Sequence, residues 1–128
     1  MILLVIVAIA IGMVVSAQAG VNAQLRSVLG HPVTAATISF AIGTIALLLA
    51  GAVGRIPWPT AGEAARVPWW AWTGGLLGAV YVAASVVLAP RLGAAVLTAA
   101  LVAGQLAAAL VLDHFGLIGF EQKSVNTT

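Results

Sequence analysis

Long apolar runs alternate with short polar breaks along this chain. Residues 1–25, 33–53, 69–89 and 92–112 each approach or exceed the ~20 residues that carry a helix across a bilayer. None of these runs contains Asp, Glu, Lys, Arg or His. The pattern predicts an all-α integral membrane bundle of four transmembrane helices, at about 2–25, 33–53, 69–89 and 92–112. Residues 1–113 then form a single transmembrane domain, and 114–128 a short interfacial and polar tail.

The first run changes character along its length. Residues 2–15 are rich in Ile, Val and Leu, apart from Gly12, whereas Ser16, Gln18, Asn22, Gln24 and Arg26 follow. Gln18, Asn22 and Arg26 stand at i, i+4 and i+8, which places them on one helix face. Ala17-Gln18-Ala19 resembles a signal-peptidase site, but no basic stretch precedes Ile2, so residues 1–25 read as a retained first helix. Gly30-His31-Pro32 is a stop followed by a restart, with Pro32 in the opening turn of the next helix.

In the second run Thr34, Thr37 and Thr44 lie roughly on one side and Ser39 elsewhere. Such hydroxyls bond back to the preceding turn at little cost in lipid. Gly43 and Ala46 allow close approach, and Gly51 and Gly54 end the helix. Residues 55–68 form the one sizeable polar loop, broken by Pro57, Pro59 and Pro68, with room for a short amphipathic turn at 60–66. Trp69, Trp70 and Trp72 then mark entry into the membrane, because indole favours the headgroup boundary. Within the third run Gly74-x-x-x-Gly78 is a small-xxx-small pair suited to helix packing. Pro90-Arg91 ends that run, and the short turn after it predicts an antiparallel hairpin with the alanine-rich fourth. In the fourth run Ala100, Gly104 and Ala108 make a smooth packing face, Gln105 is the one amide, and Asp113-His114 closes the span.

Composition narrows the picture further. The apolar fraction is 62% and the charged fraction 6%, too little charge to wet a globule of 128 residues, so lipid must cover most of the surface. Five scattered cations make no nucleic-acid patch, and they suit anchoring at helix ends. With no cysteine there is no disulfide and no thiolate metal site. No phosphate-binding glycine loop, HExxH, GxSxG or carboxylate pair is present, so the chain is not read as an enzyme and no cofactor or metal is expected. His31 and His114 read as lone interfacial residues, and Asp113 as a hydrated helix-end acid.

The intramembrane amides Gln18, Asn22 and Gln105 carry groups that hydrocarbon cannot satisfy. Two readings stand. They line the path of a small polar solute, or they bond across helices at ~0.6 kcal/mol each on average. Trp70, Trp72, Tyr81 and Ser85 join them as candidates for the wall of a cavity, with interface anchoring as the other reading of the tryptophans. One four-helix unit encloses little, so the glycine and alanine faces of the last two runs, with Gly74, Gly78 and Gly104, point to a second copy or a paralogous subunit.

A set of motifs occurs in a recognisable order. Gln18-Ala-Gly-Val-Asn22-Ala-Gln-Leu-Arg26 is followed by Leu29-Gly-His-Pro and Ile38-Ser-Phe-Ala-Ile-Gly43-Thr. Then come Trp69-Trp70, Gly74-Gly-Leu-Leu-Gly78, Leu92-Gly-Ala-Ala95, Val102-Ala-Gly-Gln105-Leu and Leu112-Asp113. Over about residues 15–120 the chain resembles the YdcZ-type inner-membrane exporters of the drug/metabolite transporter superfamily. The resemblance implies a bacterial inner-membrane location, pairing of small helical units in opposite orientations, and an exporter-like role with loosely defined cargo. It singles out Gln18, Asn22, Trp70, Gly74, Gly78, Gln105 and Asp113. It also implies a fifth apolar helix after the Asp113 segment. The chain reaches Thr128 without one, which reads as a truncated product or a four-helix form. The small multidrug-resistance transporters are a related comparison, but the first run here holds no membrane-embedded acid. The function expected is thus a small-molecule transporter or exporter subunit working as an antiparallel dimer by alternating access. The alternative is a non-transporting assembly partner or an inactive truncated product.

With four crossings, one side of the membrane carries Arg55, Arg66 and Lys123, and the other Arg26 and Arg91. Three cations against two barely favours termini in the cytoplasm and permits insertion both ways, with one fixed orientation as the other reading. Compartment-sensitive reporters fused to each terminus should therefore show both orientations; one uniform pattern would rule out dual insertion.

Overall fold

A computed structural model describes residues 1–118, and they contain helices and no strand. The polar part of the expected tail, 121–128, lies outside the described residues. Helix α1 spans Ile2–Leu29 and α2 Pro32–Val53, both within a residue or a turn of expectation. The short helix α3 is Ala61–Ala65. A 3-10 segment, Trp69–Thr73, leads into α4, Gly74–Leu92, and α5 is Ala94–Phe115. Four stretches among the described residues are long and apolar enough to cross a membrane: Ile2–Leu29, Pro32–Val53, Trp69–Leu92 and Ala94–Phe115.

Local chemistry explains the ends. Helix α1 runs past Leu25 because Arg26, Ser27 and Val28 are all compatible with helix, and Ser27 Oγ donates back to the Gln24 carbonyl at 2.6 Å. Gly30 stops it at φ 82, a left-handed conformation that glycine adopts freely, and its N–H closes on the Arg26 carbonyl at 2.8 Å. At ~1.5 Å per residue this helix is ~42 Å long, more than the ~30 Å hydrocarbon layer, so its polar end reaches the headgroups. His31 is the N-cap of α2: its Nδ1 accepts the Val33 N–H at 3.2 Å, with Pro32 in the first turn. Helix α2 passes through Gly51, and Gly54 caps it by donating its N–H to the Ala50 carbonyl.

The expected short turn in the polar loop is α3. Thr60 caps it reciprocally: its hydroxyl accepts the Glu63 N–H at 3.3 Å, and Glu63 Oε2 accepts the Thr60 N–H at 2.8 Å. The backbone and hydroxyl of Thr60 together hold the Glu63 carboxyl below its usual range.

The third span departs most from expectation. Its first turn, Trp69–Thr73, is 3-10 rather than α. Its far end does not stop at Pro90: α4 continues through Pro90 and Arg91 to Leu92, and Gly93 at φ 77 breaks it. A proline inside a helix has no N–H to give to the carbonyl four residues back. That carbonyl belongs to Val86, and the Arg26 guanidinium of α1 donates to it at 3.3 Å. The hydrogen bond missing from α4 is thus supplied by α1, a repair needed because Val86 is buried in the protein and a buried carbonyl without a donor is costly.

The chain divides into two compact units at Arg91–Leu92. The first has a small core in which Ala35 and Ala36 of α2 meet Val82 and Val86 of α4, flanked by Leu25, Tyr81 and Ala83. Small residues line this seam, the kind of packing that drives helix association where burial from water does not. The large side chains of residues 2–14 are exposed, as a lipid-facing surface should be. Helix α5 forms the second unit with the residues that follow it. It reaches Phe115, and Gly116 caps it at φ 59.

If Arg26 substitutes for the N–H that Pro90 lacks, the two positions must be coupled. Arg26→Met should cost about 1–3 kcal/mol in a reversible detergent-unfolding titration, the penalty of an unmet buried carbonyl. In a Pro90→Ala background α4 regains its own backbone donor to Val86, and the same change should cost almost nothing. Equal losses in both backgrounds would refute the coupling.

Candidate functional site

Among the described residues, open grooves border helix α2, and polar groups gather in two of them. The first lies between α1 and α2, spans about 600 Å³, and is lined by Asn22, Gln24 and Leu25 of α1 with Ser39 and Ile42 of α2. The second, about 230 Å³, brings Gln18 of α1 against Ser39, Phe40, Gly43 and Thr44 of α2. Ser39 lines both, so the two grooves adjoin through its hydroxyl. The third lies between α2 and α4, about 520 Å³, and its lining is apolar apart from Thr37. The Thr37 hydroxyl is spent on the Val33 carbonyl at 2.8 Å. No ionisable side chain lines any of the three.

Helical spacing accounts for this gathering. Gln18 and Asn22 are one turn apart on α1, and Ser39, Gly43 and Leu47 follow at i, i+4 and i+8 on α2, with Phe40 and Thr44 alongside. A Cβ added at Gly43 would meet nothing within 4 Å, so that glycine opens the groove floor and does not seat a neighbouring helix. Gly43 also stands half-way along α2, which sets the narrower groove at mid-span.

The expected site residues separate into groups. Gln18 and Asn22 share the α1–α2 face, with Asn22 only 4% exposed. Tyr81 and Ser85 lie on α4: Tyr81 packs against the alanine–valine core, and Ser85 is 4% exposed with no partner for its hydroxyl among the described residues. Trp70 sits in the 3-10 turn, 43% exposed, and lines none of the three grooves. It is exposed, as are Trp58, Trp69 and Trp72, which fits a set of headgroup anchors. Gln105 is exposed on α5, in the second unit. Among the glycines expected to pack helices, Gly78 meets Phe40: a Cβ there would lie 3.4 Å from the ring. A Cβ at Gly74 or Gly104 would meet nothing within 4 Å, so each leaves room for close approach.

Sequence reading missed Ser39, Phe40 and Thr44 as groove residues. The signal was Ser39-x-x-x-Gly43, a small-xxx-small pair whose face is the one turned to Gln18. Grouping the hydroxyls by type set Ser39 apart from the threonines, although it is the residue that joins the grooves.

A family described as "Putative inner membrane exporter, YdcZ" matches residues 3–128. The chain belongs to that family. As a YdcZ-family protein with four apolar helices it is a multi-pass inner-membrane protein of the transporter class. No curated protein matches the chain, and no solved structure does.

The chain has no cysteine, so single introduced thiols report on an empty background. A thiol reacts as thiolate, which needs water. Thr44→Cys should react with a water-soluble maleimide in intact membranes much faster than Ile6→Cys on the exposed apolar half of α1. Equal silence at both positions would show that the groove is dry.

Proposed function

We propose that the chain is a small-molecule exporter subunit that binds a polar solute in the α1–α2 grooves and moves it by alternating access between two antiparallel copies. The observation that carries this reading is the meeting of Gln18, Ser39 and Thr44 half-way along α2. Polar residues at membrane depth are costly and mark solute paths, and transporter sites lie near the midplane between repeated units. Asn22 extends the same row by one helix turn. Both grooves are open, and the bare surfaces at Gly74 and Gly104 suit close approach of another copy. The weak charge bias between the two sides suits pairing of opposite orientations.

A second reading, a non-transporting assembly partner, is favoured by the same openness: an uncovered groove also suits a fixed partner helix. Flux separates the two. Purified protein in liposomes should move at least one member of a broad panel of small polar solutes. Asn22→Leu, which removes the buried amide at similar volume, should lower that flux about tenfold, in line with the loss of a well-placed polar contact. Gly43→Leu, which projects into the groove from an unhindered Cβ, should abolish it while leaving the helices intact by circular dichroism. If the panel yields no flux, or both variants transport like the parent, the exporter reading fails.

A further inference from the structure

We infer that the cargo of this site is small, uncharged and hydrogen-bonding, and that Ser39 is the residue on which it passes from one groove to the other. The inference rests on the exporter reading and adds to it the class of solute. Charge is decided by what is missing from the lining. The α1–α2 grooves offer amides at Gln18, Asn22 and Gln24 and hydroxyls at Ser39 and Thr44, and no acid or base. The charged residues that bound the spans are Arg26 near the end of α1, Arg55 after α2 and Arg91 near the end of α4. Helix α5 has no ionisable residue before Asp113 in its last turn, so it brings none to mid-span. Arg26 is already committed to the Val86 carbonyl. An ion entering such a lining would shed its hydration with no opposite charge to receive it. A neutral solute exchanges water for amide and hydroxyl partners that both donate and accept.

Size follows from the narrower groove. Its volume of about 230 Å³ falls below the ~300 Å³ at which pockets begin to hold drug-sized ligands. The wider groove, about 600 Å³, is not the limiting one. Ser39 is half-buried on α2 and is the one polar residue in both linings, so its hydroxyl stands where the two grooves adjoin.

The test uses the full chain in liposomes with three labelled probes of similar size: a neutral polyol, a quaternary ammonium cation and a dicarboxylate anion. The neutral probe should move well above protein-free vesicles and the two ions should not. Ser39→Ala should slow it about fivefold, the loss of one neutral hydrogen bond. Ser39→Thr, which restores a hydroxyl, should recover most of the rate and so separates a lost contact from a lost fold. Faster movement of either ion overturns the uncharged class while leaving the exporter reading in place. Neutral flux indifferent to Ser39→Ala overturns the role of Ser39 alone. No flux of any probe overturns this inference and the exporter reading together.

Discussion

Inside a bilayer every backbone N–H and carbonyl must find its partner within the protein. Helices meet that demand residue by residue, and proline is where they fail. Pro90 sits inside α4 and leaves the Val86 carbonyl without its intrahelical donor. The chain answers with Arg26, placed on the polar end of α1, whose guanidinium reaches across to that carbonyl. The same contact joins α1 to α4 beside the alanine–valine seam that joins α2 to α4. The charge-assisted hydrogen bond and the small side chains of the seam thus tie α4 to α1 and α2.

Helix α2 meets α4 through Ala35 and Ala36 in its first turns, and Phe40 further along lines grooves on two sides. The groove on the α4 side is apolar and the grooves on the α1 side are polar, a difference that comes from which helix supplies amides. The grooves are open and the exposed surface is apolar, as contact with lipid requires. A family of inner-membrane exporters is a fitting home for such a unit.

Much of this was legible in the residues. Four charge-free runs specified four helices because a bilayer leaves no other use for them, and Gly30-His31-Pro32 marked its turn through backbone chemistry alone. The i, i+4, i+8 row of Gln18, Asn22 and Arg26 named one face of α1 correctly. What the row did not disclose was that its last member serves α4, since a proline's unmet carbonyl becomes visible only when the distant donor is seen beside it. Pro90 read as a helix end for the same reason: local rules assign the break, and a tertiary contact cancels it. Ser39 was passed over because a hydroxyl in a membrane helix usually bonds to its own backbone, as Thr37 does. Only the approach of α1 gives it a second use. The tryptophans were ambiguous between wall and anchor, and Trp70 lies apart from the three grooves.

Infrared spectroscopy of an isotope-labelled Val86 carbonyl, in lipid, reads directly whether Arg26 of α1 completes the backbone of α4. The parent protein should show a hydrogen-bonded, low-frequency band that moves to the frequency of a free carbonyl in Arg26→Met. A band that is already free in the parent, or that stays in place when Arg26 is replaced, would contradict the repair of α4 by α1.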